Sequence, residues 1–154
     1  MNEAILNAIE IAAIAHEGQR DGAGIPYIQH PLAVLRSVAA VLPEDTNAQV
    51  AAVLHDVLED TGWREYNLLK NGVNPRAVEL VKAVTRVKGE TYDQFIDRVA
   101  TSGSAAIVIK LCDLQHNLSR MDGLPLSRKQ ELEPKYLAAQ DTLTNALKNL
   151  CATA

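Results

Sequence analysis

Apolar residues in this chain recur at helical spacing rather than in strict alternation. Ile5, Ala8, Ile9 and Ala12 follow the i, i+3, i+4, i+7 pattern. The pattern predicts an amphipathic helix that ends near His16, because Gly18 follows. Asp21 to Gly24 reads as a loop. Pro31 suits the first turn of a second helix, where a missing N–H costs no intrahelical bond, and Pro43 limits that helix at its other end. A third helix is expected through Ala48 to Asp60, capped by Asn47 or Thr46 and stopped by Thr61-Gly62. Asn74-Pro75 opens a fourth. Thr91-Tyr92-Asp93-Gln94 has capping-box spacing and opens a fifth. Ser104 precedes another helix, running through Ala105 to Met121. Its Ile107-Val108-Ile109 stretch has strand propensity, but the length of the pattern favours helix. Ser127 to Ala152 is the last helical region, where Pro134 is expected to break or restart the helix. The expectation is one all-α domain over residues 1–154, with no internal repeat and no linker.

Composition agrees with a globular core. The 154 residues are 47% hydrophobic and 22% charged, which excludes a disordered chain. A formal charge of −4 argues against broad nonspecific nucleic-acid binding. The apolar runs are too short for a membrane span, and the first residues do not resemble a signal peptide. Cys112 and Cys151 have no disulfide-framework or zinc-finger spacing. A reducing, cytoplasmic setting is therefore expected.

Candidate chemistry is concentrated in four places: His30 before Pro31, the His55-Asp56 pair, Glu59-Asp60 a turn later, and Asp113. On a continuous helix His55 and Glu59 would be i, i+4, and Asp56 would meet Glu59 and Asp60 at i+3 and i+4. Three acids in the last turns oppose the helix macrodipole, and a bound divalent cation would remove that conflict. Solvated surface acids would give the same pattern, so spacing alone leaves both readings open.

Four blocks carry a more specific signal. They are Ala15-His16-Glu17-Gly18-Gln19, Gly24-Ile25-Pro26-Tyr27-Ile28-Gln29-His30-Pro31, Leu54-His55-Asp56-Val57-Leu58-Glu59-Asp60-Thr61, and Ile109-Lys110-Leu111-Cys112-Asp113-Leu114-Gln115-His116-Asn117-Leu118. In order and spacing they resemble the HD-superfamily hydrolase domain of RelA/SpoT-type proteins, over nearly the whole chain. With no synthetase or regulatory domain following, the resemblance is to a stand-alone small alarmone hydrolase of the stringent response.

The resemblance implies an HD-type helical bundle with a central metal, typically Mn²⁺, held by His30, His55, Asp56 and Asp113. It implies removal of the 3′-pyrophosphate of (p)ppGpp, giving GDP or GTP and pyrophosphate. Mixed imidazole and carboxylate ligands suit Mn²⁺ or Fe²⁺ better than a structural Zn²⁺ site. Glu59 is assigned to the attacking water and Asp60 to its support. Asn117, one turn beyond Asp113, is expected to contact the nucleotide. Tyr27 packs beside a base or fills the core, His16 is a structural hydrogen bonder, and His116 is not a ligand.

Three positions, in two places, depart from the family pattern. Where longer members carry a basic pair before the Pro-Tyr turn, this chain has Asp21 and Gly22, with Arg20 adjacent as a substitute. Where short members have an arginine four residues before the last-helix tyrosine, here Tyr136, this chain has Leu132. These departures leave two alternatives beside (p)ppGpp hydrolysis. One is a metal-dependent phosphohydrolase of another nucleotide, or of a phosphorylated dinucleotide cofactor such as NADPH. The other is a non-catalytic nucleotide-binding module, which the complete acid set counts against.

Overall fold

A computed structural model describes residues 2–153, and among them every regular element is a helix. Met1 and Ala154, the ends of the expected domain, lie outside the described residues. In chain order the helices are α1 (Glu3–Ala15), α2 (Gln29–Val41), α3 (Thr46–Leu54), α4 (Val57–Asp60), α5 (Glu65–Lys70), α6 (Pro75–Ala83), α7 (Tyr92–Ala100), α8 (Ser104–Ser119) and α9 (Leu126–Thr153), with a 3₁₀ turn at Met121–Gly123 between the last two.

Helix α3 is the centre of the packing. Every residue from Ala48 to Leu54 is buried, as expected of a helix that is apolar on nearly all sides. Its alanines let α1, α2 and α6 approach closely, and Val34, Val38, Val53 and Val81 close the main core. A second apolar cluster joins α7, α8 and α9 through Phe95, Ile96, Ile107, Leu114 and Leu143. Helix α8 faces both clusters, which is why Ile107-Val108-Ile109 is buried as helix rather than strand.

Most start and stop signals act as the sequence predicts. Asn74 caps α6 with Pro75 in its first turn, and Thr91 and Gln94 form both halves of a capping box on α7. Four expectations need correction. The cap of α3 is Asp45, whose carboxylate accepts from the Ala48 amide at 2.9 Å, not Asn47 or Thr46. Helix α5 was not foreseen, because its six residues are too few to show a period. Pro134 does not break α9. It lies on the exposed face, as does Gln130 one turn earlier, whose carbonyl loses its helical partner there, while Leu132, Ala139 and Leu143 hold the helix against the bundle.

The fourth correction shapes the site. The helix expected over Ala48–Asp60 is interrupted at His55-Asp56, between α3 and α4. The His55 Nδ1 bonds the Ala52 carbonyl at 2.7 Å, an oxygen that a continuous helix would offer to the Asp56 amide. A side chain has entered the backbone ladder, and Asp56 takes φ −99° and ψ −4°.

Candidate metal centre

Three segments bring the predicted ligands together. His30 lies in the first turn of α2, His55 and Asp56 lie at the α3–α4 break, and Asp113 lies midway along α8. Adjacent residues on an ideal helix point about 100° apart, and the break removes that constraint. His55 Nε2 stands 3.0 Å from Asp56 Oδ2. The two imidazoles meet at 3.2 Å between their Nε2 atoms. Asp113 Oδ1 lies 2.9 Å from His30 Nε2 and 3.3 Å from His55 Nε2, and Asp56 Oδ2 lies 3.5 Å from His30 Nε2. His30, His55 and Asp113 are buried.

The donor chemistry fits a cation. A carbonyl only accepts, so His55 Nδ1 donates to Ala52, and a neutral His55 presents a lone pair at Nε2. His30 does the same when its Nδ1 donates to His116 Nδ1, 2.7 Å away. His30, His55 and Asp56 then bring one ligand atom each within 4.8 Å of one another, and Asp113 Oδ1 adds a second carboxylate beside both imidazoles, an arrangement that calls for a positive charge. Metal–ligand bonds of about 2.1 Å place neighbouring ligand atoms about 3.0–3.4 Å apart, close to the separations between these groups. The electrostatics show the same demand. Burial would lower the His55 pKa, but Asp56 and Asp113 hold it well above its ordinary value. Burial lowers His30. Against the effect of burial, the charge of His55 brings Asp56 down to about 2.

A surrounding layer fixes these groups. Lys110 Nζ binds the other oxygen of Asp113 at 2.6 Å, and with His55 it holds that buried carboxyl well below the usual range despite desolvation. The Asn117 amide donates to Asp113 Oδ1 at 3.2 Å. The Tyr27 hydroxyl donates to Asp56 Oδ2 at 2.6 Å and lies 3.4 Å from Asp60 Oδ2. Tyr27 therefore does more than the sequence suggested: it buttresses a carboxylate of the His/Asp cluster. Burial and Asp56 push its pKa up, so it remains a donor. His16 is buried against the Tyr27 ring and bonds Gln19, whose amide donates to the Asp60 carbonyl at 3.0 Å.

The two candidate catalytic acids are placed differently. Desolvation and the negative charges of Asp56 and Glu59 push the Asp60 carboxyl up to about 6. Glu59 Oε1 accepts from the Arg86 amide at 2.9 Å, which ties down the Thr85–Glu90 segment. Beside the centre opens a cavity of about 600 Å³ lined by Arg20, Tyr27, Asn117, Arg120, Arg128 and Tyr136, among others. Arg20 reaches its wall, with Nη1 donating to the Gly24 carbonyl at 2.8 Å. Sequence reasoning missed Lys110 and Arg120. Each is three residues from a residue it did single out, Asp113 and Asn117 respectively, so helical spacing was the available signal.

An all-helical domain that gathers two histidines and two aspartates from three separated segments, with an adjacent His-Asp pair among them, defines a class of metal-binding helical domains. The HD domain family matches residues 8–107, and the chain belongs to that family. It is 32% identical over 148 residues to the guanosine-3′,5′-bis(diphosphate) 3′-pyrophosphohydrolase of Haemophilus influenzae, covering 89% of this chain and 21% of that protein. It is 37% identical over 128 residues to the bifunctional (p)ppGpp synthase/hydrolase RelA of Mycobacterium tuberculosis, covering 77% and 17%. The chain thus spans about a fifth of the length of these relatives. A solved structure, of a metazoan ortholog of SpoT described as hydrolysing ppGpp, superposes with a TM-score of 0.77 at 27% identity, covering 96% of this chain and 86% of that one. No helix among the described residues is long and apolar enough to cross a membrane.

Proposed function

We propose that this chain is a metal-dependent (p)ppGpp 3′-pyrophosphohydrolase, acting in the cytoplasm and using one Mn²⁺ ion held by His30, His55, Asp56 and Asp113. The observation that carries the reading is the convergence of those four side chains beside a cavity whose wall includes Tyr27 and Asn117, both bonded to ligand carboxylates. Relatives and a structural neighbour named for (p)ppGpp hydrolysis support the substrate.

A divalent cation bound there supplies Lewis acidity toward a phosphoryl oxygen and the attacking water. In the reaction one water adds to the phosphorus attached to the 3′ oxygen. The P–O3′ bond breaks, the 3′ oxygen takes a proton, and GDP or GTP leaves with pyrophosphate. Glu59 and Asp60 are the carboxylates available to the water's proton. Asp60 is the better placed, because Tyr27 links it to Asp56, whereas one Glu59 oxygen is committed to the Arg86 amide. Asn117 and Arg20 face the nucleotide. Tyr27 holds Asp56 and lines the pocket.

Asp21 and Gly22 at the cavity wall favour a second reading, hydrolysis of another phosphorylated nucleotide such as NADPH. A Mn²⁺-supplemented release assay across ppGpp, pppGpp, NADPH and common nucleotides, with each product identified, decides between them. Pyrophosphate from ppGpp is expected, and its absence refutes the proposal.

A further inference from the structure

The cavity beside the metal centre holds a cation whose placement is unlike the other two. Arg20 spends one guanidinium nitrogen on the Gly24 carbonyl of its own loop. Arg128 pairs with Glu131 at 2.9 Å, with both side chains more than half exposed. Arg120, at the C-terminal cap of α8, is instead clamped from two sides. Its Nη1 lies 3.0 Å from Asp21 Oδ2, and its Nη2 donates to Asn117 Oδ1 at 2.7 Å. Asp21 is itself fixed, because its Oδ1 accepts from the Ala23 and Ile25 amides at 2.9 Å each.

The clamp gives Asp21 a fixed partner, and the loop around Gly22 packs closely beside it. A side chain at Gly22 would begin 2.8 Å from Leu124 Cδ2, so the loop lies directly on the segment after α8. Ala23 Cβ lies 3.2 Å from where a side chain at Gly123 would begin, on the same seam. That close approach brings the Asp21 carboxylate to the Arg120 guanidinium. The Arg120 side chain remains 31% exposed and lines the cavity, and its two anchoring bonds use only part of the five-donor fork. A guanidinium held in place before a ligand arrives loses little further freedom on binding.

We propose that Arg120 is a specificity-determining residue that binds the non-reacting 5′-phosphates of the nucleotide, with Asp21 and Asn117 as its positioning residues. This rests on the nucleotide-hydrolase reading above and adds to it the group that selects for a 5′-phosphorylated substrate. Asn117 joins the two halves of the site, since it accepts from Arg120 and donates to Asp113. The nucleotide is then gripped at its 3′ end by the metal centre and at its 5′ end by Arg120.

The test is calorimetric titration of the Mn²⁺-loaded protein with GDP and with guanosine, which needs no turnover. The parent should bind GDP at least about tenfold more tightly than guanosine, as a charge-assisted contact provides. Arg120→Ala should bring that ratio close to one while leaving guanosine and Mn²⁺ affinities unchanged. Arg120→Lys, which keeps the charge and carries the test should the alanine variant not fold, should retain an intermediate ratio. A ratio unchanged in Arg120→Ala, or unchanged in Arg120→Lys where that variant carries the test, overturns the proposal. So does a parallel loss of GDP and guanosine binding, or a parent that does not prefer GDP. If the parent shows the Arg120-dependent preference yet releases no pyrophosphate from ppGpp, the hydrolase reading fails and the role of Arg120 stands.

Discussion

Replacing Lys110 with methionine tests whether the buried Asp113 carboxylate is held by charge or by packing. The Lys110 side chain is 13% exposed, the Asp113 side chain is 4% exposed, and the ion pair closes at 2.6 Å. Methionine is close to the lysine stem in length and apolar character, so the substitution chiefly removes the ammonium, including its contact with the Phe95 ring at 5.1 Å from the centroid. Asp113, however, is left buried beside Asp56 with one fewer counter-charge. Removing one partner of a buried pair commonly costs ~3–5 kcal/mol. His30 and Asn117 still bond Asp113 Oδ1, which argues for the lower end, about 3 kcal/mol. The assay is urea unfolding of the metal-free protein in a double-mutant cycle with Asp113→Asn. The double variant removes both charges and should recover much of the loss, giving a coupling of ~2 kcal/mol within the range for contacting residues. Additive losses would show that Lys110 acts through its stem alone and would refute the charge argument.

Other expectations are shorter to state. Asp113→Ala should weaken Mn²⁺ binding far more than Tyr27→Phe does, for which about 10–100-fold is expected; equal titrations would remove Asp113 from the ligand set. Asp60→Asn should lower kcat by ~10²–10⁴-fold with the metal retained, while Glu59→Gln should lose less; the reverse order would return the proton to Glu59. Glu90 has its pKa held at about 2 by the Arg98 hydrogen bond and the Val87 amide, against an ordinary value of 4.5. A lowered folded pKa stabilises above the unfolded value and is lost as pH falls. Glu90→Gln should therefore cost stability at pH 6, and the gap from the parent should shrink as pH drops from 4.5 toward 2. A pH-independent gap in thermal unfolding would assign the loss to packing.

The fold was legible where a local rule had no competitor. Asn74-Pro75 and Thr91 to Gln94 each satisfy their own helix's amides, so the chain nearby suffices to place α6 and α7. Pro134 was misread because its local penalty is set by which face it occupies. That face is decided by Leu132, Ala139 and Leu143 packing on other helices. Arg120 and Lys110 were passed over for a related reason. Each acts on a partner that the sequence did rank, and a ranking by residue type has no term for what stands one turn away.

The misplaced boundary at His55-Asp56 shows why spacing alone understated the site. Treating Ala48–Asp60 as one helix made His55 and Asp56 straddle a face, and it made the i, i+4 relation of His55 to Glu59 the natural grouping. In the structure the His55 ring takes the Ala52 carbonyl for itself, and that one hydrogen bond does two things. It ends α3, which frees Asp56 to turn back to 3.0 Å from His55 Nε2. It also keeps a proton on His55 Nδ1, so that the neutral imidazole has its lone pair at Nε2, facing the cluster. The break and the choice of tautomer are the same event. If His55→Asn cannot reach Ala52, the helix should run on through residue 56, with more helical amide protection there. The Asp56 side chain would leave the centre even though its own residue is unchanged. Hydrogen exchange at Asp56 and Val57 reads that directly, and unchanged protection at both would show that the break is imposed by packing rather than by the imidazole.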